Sequence, residues 1–485
     1  MPSEEELIEE RIKKIEALKA AGINPYPYAF DQKNKISDLK AAYKDLPPAA
    51  KTNQFVSLAG RIIAMRRMGG ASFLNLRDED GDIQLHFRKD ITKNYDLLKF
   101  LDVGDWLGVE GTIFKTKTDE LTVEVNKFEI LCKSIRPPPE KWHGLRDIEL
   151  RYKQRYLDLA YSLEVREVFK KRIKAINAIR EFLNSKGFIE VETPILQMVY
   201  GGAAAKPFST RFHALKKEAY LRISPELHHK RLLVGGFEKI YEFAKSFRNE
   251  DIDRFHNPEF TLLEAYQAYA DYEDMIELIE DIFVDASKAI FGETKFEWRG
   301  VELNVAKPWR RYTYYEAIKE FAGIEVEKVS DKELLEAIPN KELLPKAPKR
   351  WQLITEIFEQ VVQDKLIQPT IITHHPLEST PLCKPCRYHP ELFVERFEPF
   401  IAGLEIGNAY SELNDPILQK KFLEEQTKMK AHGAHAHPYD EDFVRAIEYG
   451  MPPAGGLGLG IDRIIMLLTN QPSIRDVIFF PFVKF

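Results

Sequence analysis

The sequence predicts an α+β protein in two parts: a small barrel of five short strands, then a larger domain in which helices flank an antiparallel sheet. Three observations carry this. From Phe55 onward, apolar and polar residues alternate in short runs separated by turn residues, the period of half-buried strands. The run RPPPEKWHGLRD, from Arg136, reads as a proline-stiffened linker. Beyond it a helical period runs from about Leu163 to Ser185 and stops at Gly187, and the rest of the chain mixes both periods. Residues 1–50 are read as an N-terminal helical extension, 51–140 as the barrel, 141–160 as the linker and 161–485 as the larger domain.

Composition narrows the possibilities. At 485 residues the chain is too long for one ordinary core. With 44% hydrophobic and 30% charged residues it is not a disordered chain. No apolar run reaches membrane length, and MPSEEELIEERIKK is acidic and amphipathic where a secretory leader would be basic and then apolar. A cytoplasmic protein with no membrane contact is expected. Three cysteines, Cys132, Cys383 and Cys386, fit a reducing compartment and argue against a disulfide framework. The net charge of −6 argues against holding nucleic acid by bulk electrostatics, and leaves room for local reading.

Residues Glu4 to Ala21 have the spacing of an amphipathic helix, with Leu7, Ile12, Ile15, Leu18 and Ala21 as its apolar stripe, ended by Gly22 and the prolines of NPYPY. In the barrel, Val56, Leu58, Gly60 and Ile62 alternate, then Leu74 and Leu76, then Ile83, Leu85 and Phe87 after an Asp-Gly turn. WLGVEGTIF and LTVEVNKFEIL supply two more strands. The oligonucleotide-binding barrel is one architecture of this kind. If the leucines and Ile83 face inward, Phe73 and Gln84 face outward. An exposed Phe can stack on an unpaired base and a Gln can hydrogen-bond its edge. Arg66 and Arg67, just before, are candidates for a phosphate or a base. Sixteen Lys plus Arg balance sixteen Asp plus Glu between Lys51 and Glu149, so charge adds nothing to this reading.

In the larger domain, Phe237 to Tyr266 reads as two strands joined by a charged loop. Tyr241, Phe243 and Phe247 share one parity and would face the core, while Glu242 and Arg248 share the other and would face outward. On the second strand Phe260, Leu262, Glu264 and Tyr266 share a parity, and the loop brings Arg254 and His256 over one end. An antiparallel hairpin would thus present Arg248, Glu250, His256, Phe260, Glu264 and Tyr266 to one cleft. An arginine for phosphate and carboxylate, an aromatic face for a base and a histidine for an outlying phosphate suit a nucleotide beside an acid. A hairpin with solvated salt bridges on its open face explains the Phe poorly.

FRNE at Phe247–Glu250 with HNPEF at His256–Phe260 resembles motif 2 of the class II aminoacyl-tRNA synthetases. The helix before GFIEVETPIL resembles their motif 1, and GLGLGIDR, Gly456–Arg463, their motif 3. The barrel is similar to that of the subclass (IIb) containing the lysine, aspartate and asparagine enzymes. GGAAAKPF, LRISPELHHKRLLVGGFEKIYE, AYADY, FIAGLEIGNAYSELNDP and GMPPAGGLGLGIDR resemble the bacterial lysine-specific branch, over nearly the whole chain.

The resemblance implies ATP-dependent activation of an amino acid, then transfer to the 3′-hydroxyl of tRNA, with Mg2+ and a homodimer formed through the motif 1 region. It makes 51–140 an anticodon-binding barrel and 161–485 the catalytic domain. By similarity Arg248 bridges the substrate carboxylate and the α-phosphate, and Phe260 stacks on adenine, whose other face Arg463 covers. Glu250 accepts from the adenine amino group, His256 approaches the terminal phosphates, and Glu398 and Glu405 match the magnesium ligands. Glu226 and Glu412 match the acids that recognise a lysine side chain, with Tyr266 and Tyr410 as walls; Asn408, Glu264 and Gly202 hold the α-carboxylate and α-ammonium end. An aspartate pocket would need a cation where this chain has two acids, which favours lysine and tRNA-Lys over an aspartyl or asparaginyl enzyme. Arg67, Phe73 and Gln84 match anticodon contacts, although RRMGGASF is one residue shorter than in some relatives and Lys127 stands where some carry Glu. A catalytically silent tRNA-binding paralogue would be expected to lose Arg248, Arg463 or the metal pair, and all four are present. CKPCRYH, with Cys383, Cys386 and His389, and HGAHAH, His432 to His437, have metal-like spacing; the first reads better as a loop with two free thiols and the second as an exposed segment.

Overall fold

The computed structural model describes residues 3–138, 147–431 and 439–483, and the chain divides into two compact units, Met1–Arg166 and Glu167–Phe485. HGAHAH and most of the proline-rich stretch lie outside the described residues.

In the first unit, helix α1 (Glu4–Ala20) starts at Ser3, whose hydroxyl and Glu6 form a reciprocal capping box. Ile15 and Leu18 are buried as expected, but Ile12 is 39% exposed and Arg11 takes its place inside. Arg11 donates to the carbonyls of Val103, Ser134 and Arg136 at 3.0–3.3 Å. Those chain ends have no ladder partners, so a buried guanidinium satisfies them better than another methyl group would. Strands β1 (Lys51–Met68), β2 (Ala71–Arg77), β3 (Asp82–Arg88), β4 (Trp106–Lys115) and β5 (Leu121–Cys132) close in the order β1-β2-β3-β5-β4. Leu58, Ile62, Leu74, Leu76, Ile83, Leu85, Phe87, Val109 and Val123 fill the interior at 0–1% exposure, as their period-two spacing requires.

On the outer face, Phe73 lies opposite His86, and their rings stack at 4.5 Å and 9°. Gln84 accepts from the Thr122 hydroxyl at 3.0 Å. The Arg67 guanidinium donates to the carbonyls of Leu98 and Leu101 at 2.7 and 2.8 Å. These carbonyls lie at the end of a 3-10 turn (Tyr95–Phe100), where that of Leu98 also accepts from Leu101 N, and they hold the side chain against the barrel. Arg66, beside it, is exposed, and Lys127 lies 3.7 Å from Glu110. The stretch read as a linker carries two short helices, α2 (Ile148–Lys153) and α3 (Arg155–Tyr161), anchored by a buried Arg155–Asp158 pair at 2.8 Å.

The second unit is built on one large sheet. Its strands are β6 (Ile189–Glu190), β7 (Lys239–Phe247), β8 (Glu259–Ala268), β9 (Arg310–Thr313), β10 (Thr370–Pro376), β11 (Phe393–Ile401), β12 (Leu404–Glu405), β13 (Gly407–Ser411) and β14 (Ala454–Gly460). They lie in the order β9-β10-β11-β13-β14-β8-β7-β6, with β12 pairing β11. Only the outermost pairs, β9–β10 and β7–β6, are parallel. Helices α4 (Leu163–Ser185), α6 (Tyr272–Phe291) and α7 (Ile461–Leu468) supply Ile179, Leu183, Ile276, Ile279, Phe283, Ile464 and Ile465 to the main core. Tyr241, Leu263, Ala265, Phe397, Ala409, Leu457 and Leu459 meet them from the sheet. Since alternate residues point to opposite faces, the other parity of the same central strands is free to line a cleft.

Candidate active site

That second face forms a cavity of about 470 Å³. Its floor is β14, where glycines at 456 and 458 leave the backbone bare. Glu264 on β8 and Asn408 on β13 flank Gly458; Tyr266 and Tyr410 flank Gly456. The result is two layers, an amide and acid layer followed by an aromatic one, with Glu412 and Glu226 at the closed end. A Cβ at Gly456 would sit 2.5 Å from the Tyr266 ring and closer still to Glu412 Oε1, so glycine is required for the acid to lie across this strand. Gly202 has φ +83°, and a Cβ there would meet Ser224 Oγ at 2.8 Å.

Glu226 opens helix α5 (Glu226–Val234), and Glu412 follows the last residue of β13. Both are buried, and burial pushes both carboxyls up, Glu412 to about 8. Lys230, one turn along α5 and with no exposure, opposes this: its Nζ lies 2.8 Å from Glu226 Oε1 and 2.6 Å from Glu412 Oε2, and donates to the Leu382 carbonyl. Neither Glu226 Oε1 nor either oxygen of Glu412 accepts a hydrogen bond of good geometry. Glu264 is better satisfied, accepting from Ser224 at 2.8 Å and from the Tyr266 hydroxyl at 3.1 Å.

Toward the open end, the hairpin pairs Ser246 with Phe260 and continues through a bond from Arg248 N to the Pro258 carbonyl. The Arg248 guanidinium stands 5.1 Å from the Phe260 ring centre, and its Nε is buried without a partner. Arg463, in the first turn of α7, donates to the Glu405 carbonyl at 2.6 Å, and its Nη2 lies 3.2 Å from His256 Nε2. His256 is oriented by Asp253 at 2.9 Å on its other nitrogen. Asp462 fixes the helix that carries Arg463, accepting from Thr261 N and from Arg172 at 2.8 and 2.6 Å. Glu250 lines the mouth.

Glu398 on β11 and Glu405 on β12 face the same cavity. Burial pushes both carboxyls up, and Glu398 adds to the effect on Glu405, while Arg396 and Arg463 oppose it. Arg396 is paired directly with Glu398. Two buried carboxylates facing one cavity suit a hard cation that shares its shell with a substrate. Among the described residues no cluster of three or more His, Cys, Asp or Glu side chains could hold a metal unaided.

Every residue assigned above to the nucleotide or to lysine thus lines one cavity. Arg254 does not; it is exposed and contributes its carbonyl to Ile474 N. Glu242 also departs from its expected outward placement. It is 4% exposed and bound by Arg222 at 2.7 Å, His229 at 3.0 Å and Thr193 at 2.7 Å, because helix α5 covers that end of β7 and a carboxylate beneath it must be paired. Cys383 and Cys386 are free and buried, Cys383 bridging to Glu412 by backbone pairing. The sequence reading missed Lys230, His229, Ser224 and Arg396; the Glu226–Lys230 spacing of four on a helix was the one local signal available.

A guanidinium over an aromatic ring, a second guanidinium and an acid pair lining the same cavity, and a closed anionic end form a site for condensing a carboxylate with a nucleotide, on the antiparallel sheet of a class II tRNA synthetase. The family described as tRNA synthetases class II (D, K and N) matches residues 147–484, and the OB-fold nucleic acid binding domain matches residues 56–131. Lysine–tRNA ligases of Syntrophomonas wolfei and Pelotomaculum thermopropionicum are each 49% identical to this chain, over 99% of it and 97% and 95% of their own lengths. That of Thermoanaerobacter pseudethanolicus is 48% identical over 99% of the chain and 96% of its own. The chain belongs to the lysine–tRNA ligase family.

Proposed function

We propose that the chain activates L-lysine with ATP and transfers the lysyl group to the 3′-hydroxyl of the terminal adenosine of tRNA-Lys. The observation that carries the amino-acid choice is the closed end of the cavity, where Glu226 and Glu412 converge with unsatisfied oxygens between two tyrosines. A buried ammonium needs such partners, and a neutral or acidic side chain would leave them uncompensated.

In the first step a lysine carboxylate oxygen attacks the α-phosphorus of ATP; that P–O bond forms as the bond to the β-phosphate oxygen breaks, and pyrophosphate leaves. No general base is needed, since the carboxylate is already ionised. Positioned cations stabilise the charge that gathers on the phosphoryl oxygens. Arg248 neutralises the meeting carboxylate and α-phosphate, Phe260 stacks on adenine, Arg463 and His256 hold the departing phosphates, and Glu250 takes the adenine amino group. Glu264, Asn408 and the bare backbone at Gly202 hold the α-ammonium and carboxylate. Glu398 and Glu405 would hold Mg2+, which when bound polarises the phosphates. In the second step the tRNA 3′-oxygen attacks the lysyl carbonyl carbon, its proton is lost and AMP departs.

The barrel would read the anticodon through Phe73, with His86 stacked behind it, and Gln84. Exposed Ile189, Ile195, Leu196, Met198 and Val199 gather near the motif 1 segment and support a homodimer there. Three free cysteines suit the cytoplasm, and among the described residues no helix is long and apolar enough to cross a membrane.

The test is amino-acid-dependent ATP–pyrophosphate exchange across the twenty amino acids without tRNA. Exchange with lysine is expected, lost by about 100-fold or more in Arg248→Ala and weakened in Glu226→Gln. No exchange from folded protein with magnesium present refutes the proposal.

A further inference from the structure

We infer that Lys230 is a specificity-determining residue of the lysine site: a fixed counter-cation that offsets one of the two acids at the closed end and leaves the other for one cation more. This rests on the reading of that end as the side-chain pocket. Lys230 reaches Glu226 along its own helix and Glu412 across the cavity, at 2.8 and 2.6 Å, and gives its remaining donor to the Leu382 carbonyl at 3.1 Å. Its ammonium thus meets three protein oxygens, two as close ion pairs and one through a hydrogen bond.

Two buried carboxylates this close cannot both stay ionised without a cation between them. Burial and Glu226 push the Glu412 carboxyl up to about 8 even with Lys230 pulling the other way. The charged and titratable groups facing the pair are His229, Glu264, Tyr266, Cys383, Arg396 and Tyr410. None replaces Lys230, because His229 is committed to Glu242 and Arg396 to Glu398. With Lys230 offsetting one of the two acids, the other is left for an incoming ammonium, which favours its ionised form and is bound, while a neutral chain of equal length gains nothing. Without Lys230 both acids hold their protons more tightly, and the pocket loses its preference for a charged side chain.

The test measures the lysine KM of ATP–pyrophosphate exchange from about pH 6 to 9 for wild type, Lys230→Met and Lys230→Arg. In Lys230→Met the lysine KM near pH 7 is expected to rise by about 30-fold or more, with the ATP KM unchanged. It should then fall with rising pH, as alkali ionises acids whose ionisation Lys230 no longer assists, with the midpoint of the KM profile moved up from the wild-type one by about one unit or more. Lys230→Arg keeps the charge and is expected to keep the wild-type midpoint, whatever its absolute KM. A folded Lys230→Met with wild-type lysine KM and midpoint overturns the inference, as does a uniform loss in kcat with the midpoint unmoved. If Lys230→Met fails to fold by circular dichroism, the arginine variant decides: a displaced midpoint there overturns it. A wild type with no lysine-dependent exchange overturns the pocket reading itself, and is recognised without any variant.

Discussion

Replacing Gly456 by alanine tests whether the closed end of the cavity selects lysine. Gly456 lies on a central strand, paired on both sides, opposite Tyr266 and Tyr410, so its backbone cannot retreat. The added methyl would stand 2.5 Å from the Tyr266 ring and nearer still to Glu412 Oε1, against ordinary contacts of 3.4 Å or more. One or both side chains must therefore move by roughly 1 Å, and a displacement of that size at a binding group costs on the order of 100-fold. The lysine-dependent kcat/KM in pyrophosphate exchange should fall by about that factor, equivalent to about 2.7 kcal/mol, while the ATP KM stays within about twofold because adenine and phosphates sit at the other end of the cleft. Overpacking should also lower stability, by about 1–3 kcal/mol. Gly458→Ala is the control: it lies on the same face, but its methyl meets Glu264 Cγ and Asn408 Oδ1 at ordinary distances of 3.7 and 3.8 Å, so folding stability should be retained. A folded Gly456→Ala enzyme with wild-type lysine kcat/KM would show that Glu412 does not contact the substrate.

In the barrel, Phe73→Ala removes one ring of the half-buried Phe73–His86 stack. Loss of one base stack is worth about 1–3 kcal/mol, so the KM for tRNA in aminoacylation should rise at least about fivefold with pyrophosphate exchange unchanged; an unaltered tRNA KM counts against base stacking. Acid stability offers a second check. Burial pushes the Asp102 carboxyl up, but hydrogen bonds from Lys133 and Lys14 outweigh it and hold the group below its ordinary value. The folded value then lies below the unfolded one, so its stabilisation is complete above the usual carboxylate range and is lost as pH falls through the lower folded value. Thermal unfolding as a function of pH should show Asp102→Asn with a lower Tm at neutral pH and a shallower decline below about pH 4; parallel Tm curves would mean that Asp102 is not the titrating group.

By itself the sequence determined the two-part α+β architecture, the barrel and the composition of the cleft. Alternation of apolar and polar residues fixes which face of a strand is dry, so Leu74, Leu76, Ile83 and Leu85 could be placed inside and Phe73 and Gln84 outside. On the hairpin the same parity separated Tyr241 and Phe243 from Phe260, Glu264 and Tyr266. Alternation reports the polarity of a face and says nothing about what packs on it. Glu242 shared the parity of an open face, yet α5 closes over it and turns it into a buried partner of Arg222 and His229. Arg67 is a candidate for nucleic acid by position, and only the tertiary structure shows that it also donates to the carbonyls of Leu98 and Leu101, about thirty residues away. Arg11 stands inside where Ile12 is expected because the carbonyls of Val103, Ser134 and Arg136 take its donors. Tertiary structure alone decided that Lys230 meets Glu412, from an element far along the chain: the charge balance of a buried pocket depends on groups brought together through space, and no local period carries that information.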